Sequence, residues 1–194
     1  MKKNLLYISL CFCFVTSYAA SIAKIPQTGP GDGTGVAWPS PRFEPDATGN
    51  CMIDNLTGLV WPKNAGLFGK LTWDDHVNPD PNSAQVAIKA MNQKSGSIGY
   101  HLCGYNDWRL PNIKELISLC NYSSLDPAEW LTNQGFINIS SKNFYSSNQV
   151  QSATDKVLAM SYYITCTATA YSTAVNSILG NRNPQYVWPV RGGK

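Results

Sequence analysis

Charge is scarce in this sequence. Asp, Glu, Lys and Arg make up 14% of its 194 residues, against about 25% in an average soluble protein. So little charge excludes the charge-rich composition of disordered chains, and a 43% hydrophobic content with six Trp and ten Tyr excludes it again. Histidine is scarcer still. His76 and His101 are the only two, and no HExxH spacing accompanies them, which removes the commonest zinc constellations. The sequence has no CxxC, no GxSxG nucleophile elbow and no GxxxxGK[ST] phosphate loop. No apolar run reaches the roughly 20 residues of a membrane-spanning helix. No Gly-X-Y period or other internal repeat is present.

What apolar run there is sits at the start. Lys2 and Lys3 precede an apolar stretch over residues 5–15, and Ser17 and Ala19 put small residues at the −3 and −1 positions of a cleavage site. This pattern predicts a secretory signal peptide over residues 1–19. A lipoprotein signal is disfavoured, because Leu10 and Phe12 rather than small residues precede Cys11 and Cys13. Residues 20–194 are expected to form one domain, periplasmic or extracellular, and the compact Met-Lys-Lys start has a bacterial look. Loss of Lys2 and Lys3 lowers the basic count from 15 to 13 against 12 acids, so the net charge falls from +3 to +1. A charge of +1 argues against nucleic acid as a partner. The four cysteines that remain, Cys51, Cys103, Cys120 and Cys166, suggest two disulfides in an exported chain rather than a metal site. No cofactor is implied.

The charge is unevenly spread. Residues 156–194 hold Lys156, Arg182, Arg191 and Lys194 and no acid, a net +4, whereas residues 20–155 hold 9 basic and 12 acidic side chains, a net −3. A Ser/Thr/Asn/Tyr-rich tail poor in every charge is the plain structural reading. The functional one is a weakly basic, aromatic surface that faces a sugar or a polyanion.

Residues 24–50 are dense in Gly and Pro, as a linker is, but Trp38 and Phe43 are unlike a linker. From Cys51 to Trp61, apolar residues flank Asn55-Leu56-Thr57-Gly58 and predict a β-hairpin. Residues 83–94 predict a helix with Val86, Ile88, Ala90 and Met91 on its apolar side. Residues 112–120 predict another, with Asn112 and Glu115 as a capping box and Ile113, Leu116, Ile117 and Cys120 at helical spacing. A second box, Asp126 to Glu129 with Pro127 at N1, predicts a short helix ending near Asn133. β-rich text follows from Phe144, with strands expected over 157–164, 167–175 and 186–191. Hairpin, two or three short helices, then antiparallel strands make an α+β class.

Chemistry-bearing motifs are weak. The Gly31–Gly35 run has no flanking strand and helix to make it a phosphate loop. Asp74, Asp75 and Asp80 lack calcium-loop spacing and read better as a solvated loop. His101, two residues before Cys103, is a candidate general base but reads better as a surface or capping residue. Asn55, Asn121 and Asn138 each begin an N-glycosylation triplet, a pattern common by chance in an Asn/Ser-rich chain.

The most specific text is Gly104-Tyr105-Asn106-Asp107-Trp108-Arg109-Leu110-Pro111-Asn112-Ile113-Lys114-Glu115-Leu116. It resembles the signature of the Lcl C-terminal domain family, named after the C-terminal domain of a collagen-like adhesin of Legionella. Asp54 to Trp61 is similar to that family's first hairpin, Phe144-Tyr145-Ser146-Ser147 to its Tyr-Trp-Ser-Ser strand, and Tyr186 to Gly193 to its closing strand. Residues 35–43 are similar to a segment before the hairpin, so residues 25–50 are expected to pack on the domain. The resemblance implies a C-type-lectin-like fold, stapled by Cys51–Cys103, which leaves Cys120 and Cys166 for each other. It implies that Asp107, Trp108, Arg109, Leu110, Pro111 and Glu115 are structural: Trp108 and Leu110 under the helix, Arg109 on a buried acid, Glu115 capping. It also implies adhesion to sulfated glycosaminoglycans. The family's collagen stalk is missing here, so a homo-oligomer is left open.

The function expected is therefore a secreted recognition or adhesion module for glycans or sulfated polysaccharide, and not an enzyme. The ligand surface is placed between Ser147 and Tyr186, with Tyr162, Tyr163 and Tyr171 stacking on sugars and Lys156 and Arg182 contacting sulfate or carboxylate. The alternatives are an enzyme on a scaffold like that of formylglycine-generating enzymes, whose chemistry needs free reactive cysteines, and a non-catalytic subunit of an envelope assembly.

Overall fold

The predicted hairpin forms β2 (Cys51–Asp54) and β3 (Leu59–Pro62), antiparallel, with Met52 opposite Trp61 and Ile53 opposite Val60. Gly58, at φ +72°, takes the left-handed turn position that a side chain would resist. β1 (Phe43–Pro45) pairs outside β2, and β9 (Arg191–Gly192) pairs outside β3. The first sheet thus runs β1-β2-β3-β9. The structure, a computed structural model, describes residues 26, 27, 29, 35–73, 80–139, 142–150, 153–161, 167–172 and 184–193, with the backbone alone at 149, 150, 153–161 and 167–172. The predicted signal peptide, the Gly31–Gly35 loop apart from Gly35, Asp74 and Asp75 lie outside the described residues.

The second sheet has the order β4-β8-β5-β6-β7. Its strands are β4 (Lys70–Leu71), β5 (Asn143–Val150), β6 (Ala153–Ser161), β7 (Thr167–Ser172) and β8 (Gln185–Tyr186). All its pairings are antiparallel except β5 with β8. The closing strand expected over 186–191 is instead two strands, one in each sheet. Pro189 has no N–H for a ladder, and the buried Val187, Trp188 and Val190 carry the chain from one sheet to the other.

Three α-helices among the described residues complete the α+β fold. α1 (Ala84–Gln93) starts at Ser83, whose hydroxyl accepts the Val86 N–H. Its buried stripe is Ala84, Ile88 and Met91, an i, i+4, i+7 pattern. Val86, expected on that stripe, faces outward at 37% exposure. α2 (Ile113–Ser118) has the full capping box of Asn112 and Glu115 but is shorter than the expected 112–120. α3 (Pro127–Asn133) begins at Asp126, whose carboxylate accepts the amides of Ala128 and Glu129. Only that half of the second capping box forms among the described residues.

The largest core cluster lies between the first sheet and α2 and α3. Trp61, Phe136, Phe144 and Trp188 are all fully buried there with Leu116, Leu119 and Leu131. Trp188 meets Trp61 at 5.3 Å and Phe136 and Phe144 at 5.2 Å each. Burying each such ring contributes on the order of 2–3 kcal/mol. Two smaller clusters line α1, one around Trp73, Tyr145 and Val187, the other around Cys51, Val60, Met91 and Trp108. Burial pushes the Tyr145 hydroxyl up to about 12, so it stays neutral across the physiological range.

Candidate functional site

An extended segment alternates its side chains between two faces, and the Asp107–Leu110 stretch uses both. Trp108 and Leu110 point into the clusters that line α1, against Met91 and Val60 and against Ala84 and Ile88 respectively. They therefore pack under α1, not under the capped helix α2 as expected. Asn92 of α1 holds the strand in place: its amide donates to the Trp108 carbonyl at 2.7 Å and its oxygen accepts the Trp108 N–H at 3.0 Å. The Trp108 indole donates to the Leu102 carbonyl.

Asp107 and Arg109 occupy the other face and fasten the C-terminal strand. Arg109 and Val190 exchange backbone hydrogen bonds of 2.9 Å in both directions. The Arg109 guanidinium grips Glu115 through both carboxylate oxygens, at 2.7 and 2.8 Å, and donates to the Gly192 carbonyl. Its acid partner is thus the capping residue itself, whose Oε2 also accepts the Asn112 N–H. Burial pushes the Glu115 carboxyl up, but Arg109 and the Asn112 amide outweigh it and hold it below the ordinary 4.5. Arg191 bonds Asp107 at 2.6 and 3.1 Å and lies 3.7 Å over the Tyr105 ring. The Arg191 hydrogen bond holds the Asp107 carboxyl below 3.8.

Cys51 and Cys103 form a disulfide across a sequence separation of 52, a loop whose closure is worth about 4 kcal/mol in the chain-entropy picture. The Asp46 carboxylate lies close to both sulfurs, but bonded sulfurs are not thiolate ligands, so the three make no metal site. Cys120 is also disulfide-bonded. Cys166, its expected partner, lies outside the described residues.

The expected ligand residues fall mostly where nothing is described. Tyr162, Tyr163 and Arg182 lie outside the described residues. The backbones of Lys156 and Tyr171 lie in β6 and β7, with Lys156 paired to Ser172 and Val157 to Tyr171. Among the described residues, a groove of about 560 Å³ runs between α1, the Trp108–Leu110 segment and Ser147 of β5. Gln85, Lys89, Asn92, Gln93, Asn112 and Ser147 give it amides, a hydroxyl and an exposed ammonium.

The matching family profile is that of the Lcl C-terminal domain, over residues 50–191. The chain belongs to the Lcl C-terminal domain family. That family is adhesin-associated, consistent with a surface module. No curated protein matches the chain. No helix among the described residues is long and apolar enough to cross a membrane. Of the Lcl signature residues named from sequence, Asp107, Arg109 and Glu115 fasten the C-terminal strand and Trp108 and Leu110 pack under α1, while the groove residues of α1 were not singled out. Gln85, Lys89, Asn92 and Gln93 recur at i, i+4, i+7 and i+8, the polar face of an amphipathic helix, and that spacing was the available signal.

Proposed function

We propose that this domain is an exported recognition module that binds glycans or sulfated polyanions on a C-type-lectin-like scaffold. The groove beside α1 carries the proposal. Its side-chain amides and Ser147 match the paired donors and acceptors of sugar hydroxyls. Lys89 is exposed and makes no ion pair among the described residues, so its charge is available to a sulfate or carboxylate. The groove reaches Ser147 of β5, at the start of the segment in which Lys156, Tyr162, Tyr163, Tyr171 and Arg182 are expected to meet a ligand. Arg109 contributes less, because Glu115 already neutralises it.

The enzyme alternative requires free reactive cysteines. Cys51, Cys103 and Cys120 are disulfide-bonded, which favours the binding reading. The test is a heparin column run with residues 20–194. Retention at low ionic strength, elution as NaCl rises toward about 0.5 M and weaker retention of the Lys89→Ala and Lys156→Ala variants are the expected results. Failure to bind heparin at low ionic strength sinks the polyanion reading.

A further inference from the structure

A second cleft lies between residues 37–42 and α3. Trp38 and Trp130, both half-buried, meet there at 5.5 Å with their rings tilted by 55°. Gln27, Ser40 and Gln134 supply polar groups, and Pro39 and Pro41 help close a hollow of about 390 Å³. The Trp38 indole donates to the Gln27 carbonyl, which fixes the ring over the cleft.

Arg42 forms part of its lining and is only 3% exposed. Its Nε and Nη2 bond the two oxygens of fully buried Asp54 at 3.3 and 3.2 Å, and Nη2 also donates to the Ser118 carbonyl. Asp54 is saturated, since it also accepts the Leu56 N–H and the Thr57 hydroxyl. The Nη1 of Arg42 is different: it is buried and has no hydrogen-bond partner. A buried donor without an acceptor forgoes a hydrogen bond that it would make in water. The Trp38 and Phe43 rings, 4.1 and 4.7 Å from the guanidinium carbon, offset part of that.

The charge balance selects the ligand. Arg42 and Asp54 sum to zero, and no Lys, Asp or Glu lines the cleft. An anion entering it would shed its hydration against no net positive charge. A neutral ligand avoids that cost. Two indole surfaces suit the C–H face of a ring, and two free-standing Gln amides suit its hydroxyls. We propose that the Trp38–Trp130 cleft binds an uncharged saccharide. Trp38 stacks on the sugar ring, and Gln27 and Gln134 bond its hydroxyls. This site shares no residue with the groove beside α1 and does not depend on polyanion binding there.

The experiment follows tryptophan fluorescence and calorimetry of residues 20–194 titrated with maltohexaose, mannohexaose and chitohexaose, with heparin in parallel. At least one neutral hexasaccharide is expected to bind, with an affinity unchanged between about 0.05 and 0.5 M NaCl. Trp38→Ala is expected to weaken that binding about three- to tenfold and leave heparin binding intact. Gln134→Ala, which trims a partly exposed side chain, is expected to weaken it several-fold with no change in the unfolding midpoint. The proposal is overturned if none of the three sugars binds, if sugar binding survives both substitutions, or if it weakens with salt. Loss of heparin binding alone removes the polyanion reading and leaves this one standing.

Discussion

At the scale of single residues, the buried Arg42–Asp54 pair sets the tightest constraint on the chain. Asp54 is 0% exposed and takes donors from Arg42, Leu56 and Thr57, so one carboxylate orders the turn and anchors a charge twelve residues upstream. Removing one member of such a pair leaves the other charged, buried and unpaired. Asp54→Asn is expected to destabilise the domain by about 3–5 kcal/mol, measured by urea unfolding at neutral pH. An unchanged midpoint would show that Arg42 finds another partner. The pair was not legible in the sequence. Asp54 reads there as the residue before a tight turn, and nothing local announces that Arg42, in a Gly/Pro-rich stretch, folds back onto it. The aromatic residues beside it were a clue, since Trp38 and Phe43 cover the guanidinium that a linker would have left in water.

At the scale of elements, local chemistry was legible and long-range partners were not, apart from the Cys51–Cys103 bridge that the family resemblance implied. The Asn112–Glu115 box needs only four consecutive residues, and it forms as read. The hairpin and the start of α3 are equally local. Trp108 and Leu110 were assigned to the wrong helix because periodicity gives a face and not the element that faces it. α2 adjoins the signature in sequence, but α1 lies under it in space. Glu115 links both levels, since it caps α2 and holds Arg109. Its folded carboxyl is held below the ordinary 4.5. Stabilisation from a lowered carboxyl is complete above the unfolded value and is lost as pH falls through the folded one. Glu115→Gln is therefore expected to cost about 1 kcal/mol at neutral pH, a modest figure because Arg109 is 44% exposed. The gap between variant and native chain should close as pH drops below the ordinary 4.5 through the lowered folded value, since protonated Glu115 then resembles Gln. Thermal melts across that range check it, and a gap that stays constant with pH would show that the charge of Glu115 is not the source of the loss.

At the scale of the whole molecule, the last strand joins what the sequence lists far apart. Val190 exchanges backbone hydrogen bonds with Arg109, β9 pairs with β3, Arg191 reaches Asp107 and Tyr105, and the Gly192 carbonyl accepts from Arg109. Gly192 is at φ +72°, and a Cβ there would come within 3.0 Å of the Gly58 carbonyl, so the strand end is fitted to the hairpin turn. Arg191, counted from sequence as part of a basic tail, is consumed by this fastening, so the +4 of residues 156–194 overstates the charge offered to a ligand. A chain ending at Pro189 loses buried Val190, worth about 1.5–3 kcal/mol, together with the ladder and both arginine contacts. Against a total stability of about 5–15 kcal/mol, that truncation is expected to lower the urea midpoint severely or abolish cooperative unfolding. Arg191→Ala, which keeps the ladder and Val190, is expected to lower it by about 1 kcal/mol or less, because Asp107 is 55% exposed. If truncation costs no more than Arg191→Ala, the ladder and Val190 contribute nothing measurable and the closing strand is not what fastens the signature segment to the first sheet.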